Sequence, residues 1–244
     1  KFINSLRLYG MVEHFWFKQV PVTGYEVMRI VLGICSLLNV SHLWFYRLEL
    51  YSDKGFVPYP STWGVWLHKG EFWSLFSFFG SPVEVTFIFV VAFIASLGLI
   101  LGCASRVSML VILLFSLSYS HRAFITLSGY DALFRVISFA LLFSPIGNKW
   151  SIDNLISKKY FPQRIIPQYV PHYGLLLIKI QICLMYLITF WEKTPNKFWR
   201  NGELWSYFFL SIYSVIQDPI FAKMLYLSTI MTFLTLFIEA TLPF

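Results

Sequence analysis

Charge is what this sequence has least of. Asp, Glu, Lys and Arg make up 13% of its 244 residues, about half the share of a soluble domain. Against that stands a 57% hydrophobic composition, more apolar surface than a chain of this size hides in its own core. A water-soluble fold is excluded, and lipid has to cover the remainder. Cysteine is scarce too. Cys35, Cys103 and Cys183 lie in or beside apolar runs without CxxC or metal-ligand spacing, so they read as small packing residues and not as a disulfide framework. No His, Asp, Glu and Cys cluster has ligand spacing either, so no metal is expected. A cleavable leader pattern is also missing, which leaves the first apolar run as the uncleaved insertion signal. The chain opens on Lys1 and stops at Pro243-Phe244 with no polar flank, so further residues are expected at either end.

What is present is a series of apolar runs long enough to span a bilayer, which takes about 20 residues. They fall at 26–47, 83–102, 106–122, 129–146, 173–192 and 220–242. A shorter aromatic helix is expected over 203–216. Inside lipid the backbone must satisfy itself, so only helices or closed barrels cross. These runs lack the period-2 alternation of a barrel. The expected fold is all-α: a polytopic helical membrane bundle of five to six transmembrane helices with interfacial helices. Residues 1–22, where Arg7, Glu13, His14 and Lys18 interrupt Phe2, Leu6, Tyr9, Phe15 and Trp16, form an interfacial amphipathic segment. Residues 23–244 form the transmembrane domain.

The formal net charge of +7 points to lipid headgroups and cytoplasmic loops, not to nucleic acid, because the Lys and Arg lie in short segments between apolar runs. The 147–172 connection sets Lys149, Lys158, Lys159 and Arg164 against Asp153. The 48–82 connection offsets Lys54 and Lys69 with three acids, Glu49, Asp53 and Glu71. Counting Lys and Arg, the basic loop belongs inside, with a cytoplasmic N-terminus. His121, Arg122, Asp131, Glu192 and Lys193 then share the outer side.

Ionisable residues at membrane depth are costly and face a cavity or a partner. That singles out Arg29, Asp131, Arg135, Lys179, Lys193 and Glu239. Structural readings stand beside the functional ones. Arg29 and Lys193 lie near span ends, where long side chains snorkel to the interface. Asp131 and Arg135, four apart, are placed to pair along one helical face. Lys179 is expected to be neutralised by a partner, and His121 to bond at the interface. A lysine becomes a base at neutral pH only where an apolar pocket strips the hydration from its charged form. Phe190, Trp191, Pro195 and Phe198 around Lys193 offer such a place, and Glu192 works against it. Trp63, Trp66, Trp73, Trp191 and Trp199 read either as an interface belt or as the lining of a quinone-sized slot.

Several stretches carry a resemblance. The span-five exit reads Gln181-x4-Tyr186-x6-Lys193, then Trp199-x-x-Gly202. Upstream stand "GLILGCASR", "HRAFITLSGYDALFR" and "FSPIGNKWSID", with Arg29 at the first span and Glu239-x-x-x-Pro243 in the last. In this order they resemble the HTTM domain, the membrane half of vitamin K-dependent γ-glutamyl carboxylases and of many shorter bacterial proteins. In the carboxylases the lysine matching Lys193 is the base that deprotonates reduced vitamin K. The resemblance thus implies a reduced quinone, with Tyr130 and Tyr186 orienting groups or relaying protons. It departs in one extra residue between Lys193 and Trp199, and in Tyr130 standing near the carboxylase histidine, with His121 a turn or two away. The carboxylases also carry a large extracytoplasmic β-rich half that is not in these 244 residues.

Two readings follow for a protein of the bacterial inner membrane. In the first, a quinone-dependent, carboxylase-like enzyme modifies a peptide or lipid-soluble substrate at an outward-facing pocket. Lys193, Tyr130 and His121 are its catalytic candidates, and Arg29, Asp131, Arg135, Gln181, Tyr186 and Trp199 line the pocket. In the second, the chain is a non-catalytic scaffold or maturation subunit for a partner protein or secreted peptide. A transporter has weaker support, since no inverted repeat or broken-helix pair is visible.

Overall fold

The computed structural model describes residues 13–56, 73–123, 128–161, 163, 167–211, 214 and 223–243. Trp63 and Trp66 lie outside them. The elements are β1 (Gln19–Pro21), α1 (Thr23–Trp44), α2 (Arg47–Tyr51), a 3-10 turn (Leu75–Ser77), α3 (Pro82–Leu101), α4 (Ser105–Arg122), α5 (Gly129–Leu142), α6 (Ile152–Tyr160), β2 (Tyr169–Pro171), α7 (Tyr173–Lys193), α8 (Lys197–Arg200), α9 (Leu204–Leu210) and α10 (Leu225–Thr241). The architecture is all-α apart from the small antiparallel ribbon β1–β2, which pairs Val20 with Val170.

Each expected span coincides with a helix, and the differences have physical causes. Among the described residues, α1, α3 and α7 are long and apolar enough to cross a membrane. α4 has 18 residues, but Ser105, Ser108, Ser116, Ser118 and Ser120 hold its hydropathy down. α5 stops after 14 residues, about 21 Å of rise against a hydrocarbon core of about 30 Å. The amphipathic segment also differs. Residues 13–17 are helical, but Gln19–Pro21 form β1, because two backbone edges close on each other there. Cys35 and Cys103 are exposed rather than packed inside.

The chain forms two compact units, residues 1–178 and 179–244, divided within α7. In the first, α1 packs on α3, α3 on α4, and α4 on α5. α1 buries a stripe of Tyr25, Glu26, Arg29, Leu32, Gly33, Ser36, Val40 and Leu43, the helical spacing of one face. Its other side leaves Val27, Val31, Ile34 and Leu38 exposed, as a lipid-facing surface requires. Small residues set the α1–α3 contact. Ser36 donates to Ser96 Oγ (2.8 Å), which donates to Ala92 O (2.8 Å). A Cβ on Gly33 would meet Ile100 at 2.9 Å. Close approach of this kind replaces the hydrophobic effect inside lipid. Toward one end the core is aromatic: Tyr51, Phe76, Phe89 and Phe115 are buried, with the Phe89 and Phe115 rings edge-to-face at 5.1 Å.

Helix ends are fixed locally. Ser81 and Glu84 form a capping box before α3, with Pro82 in its first turn, so the acid at the mouth of that span is a cap. α3 closes at Gly102 in the left-handed region. In the second unit α9 packs on α10. Ser206 N donates to Ser228 Oγ, which donates to Gly202 O, both at 3.0 Å.

Candidate functional site

The polar residues fall into three groups. The first lies where α1 begins. Arg29 and Glu26 have fully buried side chains and pair at 2.9 Å. Arg29 also donates to the carbonyls of Leu99, Ile100 and Trp150. Glu26 Oε1 accepts from the amides of Asn148 (2.8 Å) and Lys149 (3.0 Å). The "FSPIGNKWSID" stretch thus delivers two amides and a carbonyl to a buried ion pair. Four residues on, Asp153 accepts from the amides of Ala104 (2.8 Å) and Ser105 (3.0 Å), capping α4. Arg29 is fully buried and makes four hydrogen bonds to protein groups, an arrangement that holds the end of α3 and the 148–150 turn to α1.

The second group lies at the opposite end of α1. Tyr130 OH donates to Asn39 Oδ1 (3.1 Å), Asn39 Nδ2 donates to Tyr119 OH (3.1 Å), and Tyr119 OH donates to Asp131. The chain runs from a half-exposed phenol to a buried carboxylate. Asp131 also accepts from Ser128 N at 2.8 Å, capping its own helix. The expected Asp131–Arg135 ion pair is absent among the described residues. Arg135 Nε donates instead to the Asp131 carbonyl at 3.2 Å, because capping and Tyr119 turn the carboxylate away from the helix flank. His121 Nδ1–H donates to Trp73 O (2.8 Å). Arg122 reaches Asp53 and Ser52 O, both at 3.3 Å. Asn39 lies ten residues beyond Arg29, about 15 Å along the helix, so Arg29 does not share this group.

The third group belongs to the second unit. Lys193, in the last turn of α7, forms an ion pair with Glu239 of α10. Its Nζ lies 4.5 Å from the Trp199 ring centroid, a cation–π distance. Glu192, the neighbour expected to hold Lys193, is not this partner: consecutive residues on a helix do not face each other. The Lys193 side chain is 26% exposed and that of Glu239 is 11% exposed. Glu239 Oε2 is buried without a hydrogen-bond partner among the described residues. Gly202 (φ +74°) lets the turn meet α10, since a Cβ there would lie 2.9 Å from Thr229. Cys183 Sγ contacts Pro243 O at 3.4 Å. Lys193, Trp199 and Glu239 thus come together, while Gly202 and Pro243 each make contact about 15 Å further along a helix, at Thr229 and Cys183.

Lys179, Tyr186 and Lys193 recur every seven residues, near one face of α7, with Lys179 exposed and Tyr186 half-buried. Gln181, also half-buried, lies well round the helix from that stripe. An apolar groove of about 670 Å³ is lined by Lys193's sequence neighbours Trp191, Glu192, Thr194 and Pro195, with Arg200, but not by Lys193 itself. No metal-holding group of three His, Cys, Asp or Glu occurs among the described residues. Glu26, Asn39, Tyr119 and Asp153 were missed as partners by sequence reasoning. Only Glu26 had a local signal, its three-residue spacing from Arg29.

The model of the HTTM domain matches residues 17–244. No curated protein and no solved structure matches the chain.

Proposed function

The chain belongs to the HTTM domain family and is an integral membrane protein, and on that premise we propose that it is a non-catalytic scaffold or maturation subunit. One observation carries the reading. The lysine that matches the carboxylase base is engaged here, its head group in an ion pair with the Glu239 carboxylate and against the Trp199 ring. Its charge ties the end of α7 to α10. The other polar candidates are likewise engaged: Arg29 with Glu26, Tyr119 with Asp131, Tyr130 with Asn39. The partner is a secreted peptide or a second protein, and the basic 147–172 loop supports a cytoplasmic N-terminus in a bacterial inner membrane.

A second reading, the quinone-dependent enzyme, is favoured by one feature. Lys193 is partly exposed beside an apolar groove, and Glu239 Oε2 has no partner among the described residues. A reduced quinone seated there would supply an acidic hydroxyl. Lys193 would be the group that meets it, with Trp191 flanking the groove.

Gene deletion in the native host, followed by mass spectrometry of the secreted peptides, tests the choice. A scaffold predicts that a peptide lost on deletion returns with Lys193→Arg, which keeps the charge. Arginine cannot act as the base, so Lys193→Arg protein present at normal levels with no peptide returning rejects the scaffold for the enzyme.

A further inference from the structure

A groove of about 400 Å³ runs between the α3–α4 turn and α6, lined by Arg106, Asn148, Asp153, Asn154, Ser157 and Pro167 among others. It belongs wholly to the first unit. The amides at the start of α4 are already taken by Asp153, so the helix end is not what the groove offers. It offers cations. Arg106 lies in its wall, exposed. Asn154 and Ser157 show which face of α6 looks into it, and Lys158, four residues after Asn154, continues that face. Lys149 and Lys159 are exposed nearby in sequence. The one acid in the lining, Asp153, has its oxygens engaged with Ala104 and Ser105.

The rest of α6 is apolar and uncovered. Leu155 is 67% exposed, Ile156 49% and Tyr160 67%, with Trp150 at 56% and Phe161 at 68% just outside the helix. α6 has nine residues and no buried ones. A short helix with exposed apolar residues, two exposed lysines and no fully buried residue has the composition of an interfacial element. Its own Asp153 caps α4 just after the end of α3, a membrane-length helix. Apolar side chains beside a span terminus sit among acyl chains, and cations at that depth meet lipid phosphates.

We propose that α6 lies in the membrane interface and that the groove beside it binds the phosphate of an anionic phospholipid headgroup, with Arg106 and Lys158 as its cationic ligands. Leu155, Ile156 and Tyr160 dip toward the acyl chains of the same leaflet, while Asn154 and Ser157 face the headgroup. Anionic lipid rather than free phosphate is the ligand, because acyl contact and charge are presented together.

The test uses the full chain in detergent, titrated with short-chain phosphatidylglycerol or phosphatidylcholine and followed by native mass spectrometry. Phosphatidylglycerol is expected to give a retained adduct and phosphatidylcholine none. R106Q/K158Q is expected to bind phosphatidylglycerol about thirtyfold more weakly, the loss for two cationic contacts. R106K/K158R keeps the adduct, and K54Q/K197Q, which removes two exposed lysines elsewhere, leaves it unchanged. Equal binding of both lipids overturns the proposal, as does an equal loss in K54Q/K197Q. Full competition by inorganic phosphate alone overturns the lipid assignment.

Discussion

Asp153 accepts hydrogen bonds from the amides of Ala104 and Ser105, 49 and 48 residues away in sequence. The first turn of α4 has no cap from its own flank, since Ala104 stands at the N-cap with a left-handed φ of 45°. Asp153→Ala is expected to lower stability by about 1–2 kcal/mol, the range for a lost cap. Asp153→Asn, which keeps an acceptor but loses the charge that favours a helix N-terminus, should fall between. Thermal unfolding of the detergent-purified protein measures both, and an unshifted Asp153→Ala midpoint contradicts the cap.

Arg29→Met removes one member of a fully buried ion pair and leaves Glu26 with only the Asn148 and Lys149 amides. The expected loss is about 3–5 kcal/mol, seen as low yield of monodisperse protein. Glu26→Gln combined with Arg29→Met removes both charges and should be milder than Arg29→Met alone. A double variant no better than the single would show that the pair is not the source of the cost.

Lys193→Glu and Glu239→Lys each place like charges together between α7 and α10. Each is expected to destabilise by about 1–3 kcal/mol, and the swapped double variant to recover most of that, the signature of direct coupling. Absence of recovery in thermal melts would separate the two residues energetically.

Gly33→Val drives a branched side chain against Ile100 and Leu99, where even a Cβ is tight. A loss of about 1–3 kcal/mol is expected. Ser36→Ala, which deletes one interhelical hydrogen bond, should lose only about 0.6 kcal/mol. The order of the two melting temperatures is the check.

Orientation is open to single-cysteine labelling after the native thiols are replaced by serine. A cysteine at position 54 should react with an impermeant maleimide from outside intact cells, and one at position 158 only after lysis. Labelling at 158 but not at 54 from outside reverses the topology, and labelling of both from one side removes a crossing.

The helices could be read from the sequence because apolar runs of span length have few other solutions. Ser81, Pro82 and Glu84 announce the start of α3 on local grounds alone. The partners were harder. Lys193 and Glu239 each stood out as charges at membrane depth, but 46 residues separate them, and no local rule joins such a pair. The Asp131–Arg135 expectation failed for a different reason. Helical spacing allows that pair, yet the carboxylate sits in the first turn of α5, where the Ser128 amide and the Tyr119 hydroxyl compete for it and prevail.

The bond from the Asn148 amide to Glu26 spans 122 residues, and this has a consequence for biogenesis. α1 leaves the ribosome carrying two buried charges whose remaining donors and acceptors have not yet been synthesised. At about 5–20 residues per second, residue 148 emerges roughly 6–24 s later. During that interval the insertion machinery, a water-filled vestibule or a chaperone has to hold the first span, and only when α5 has passed does the chain supply its own latch.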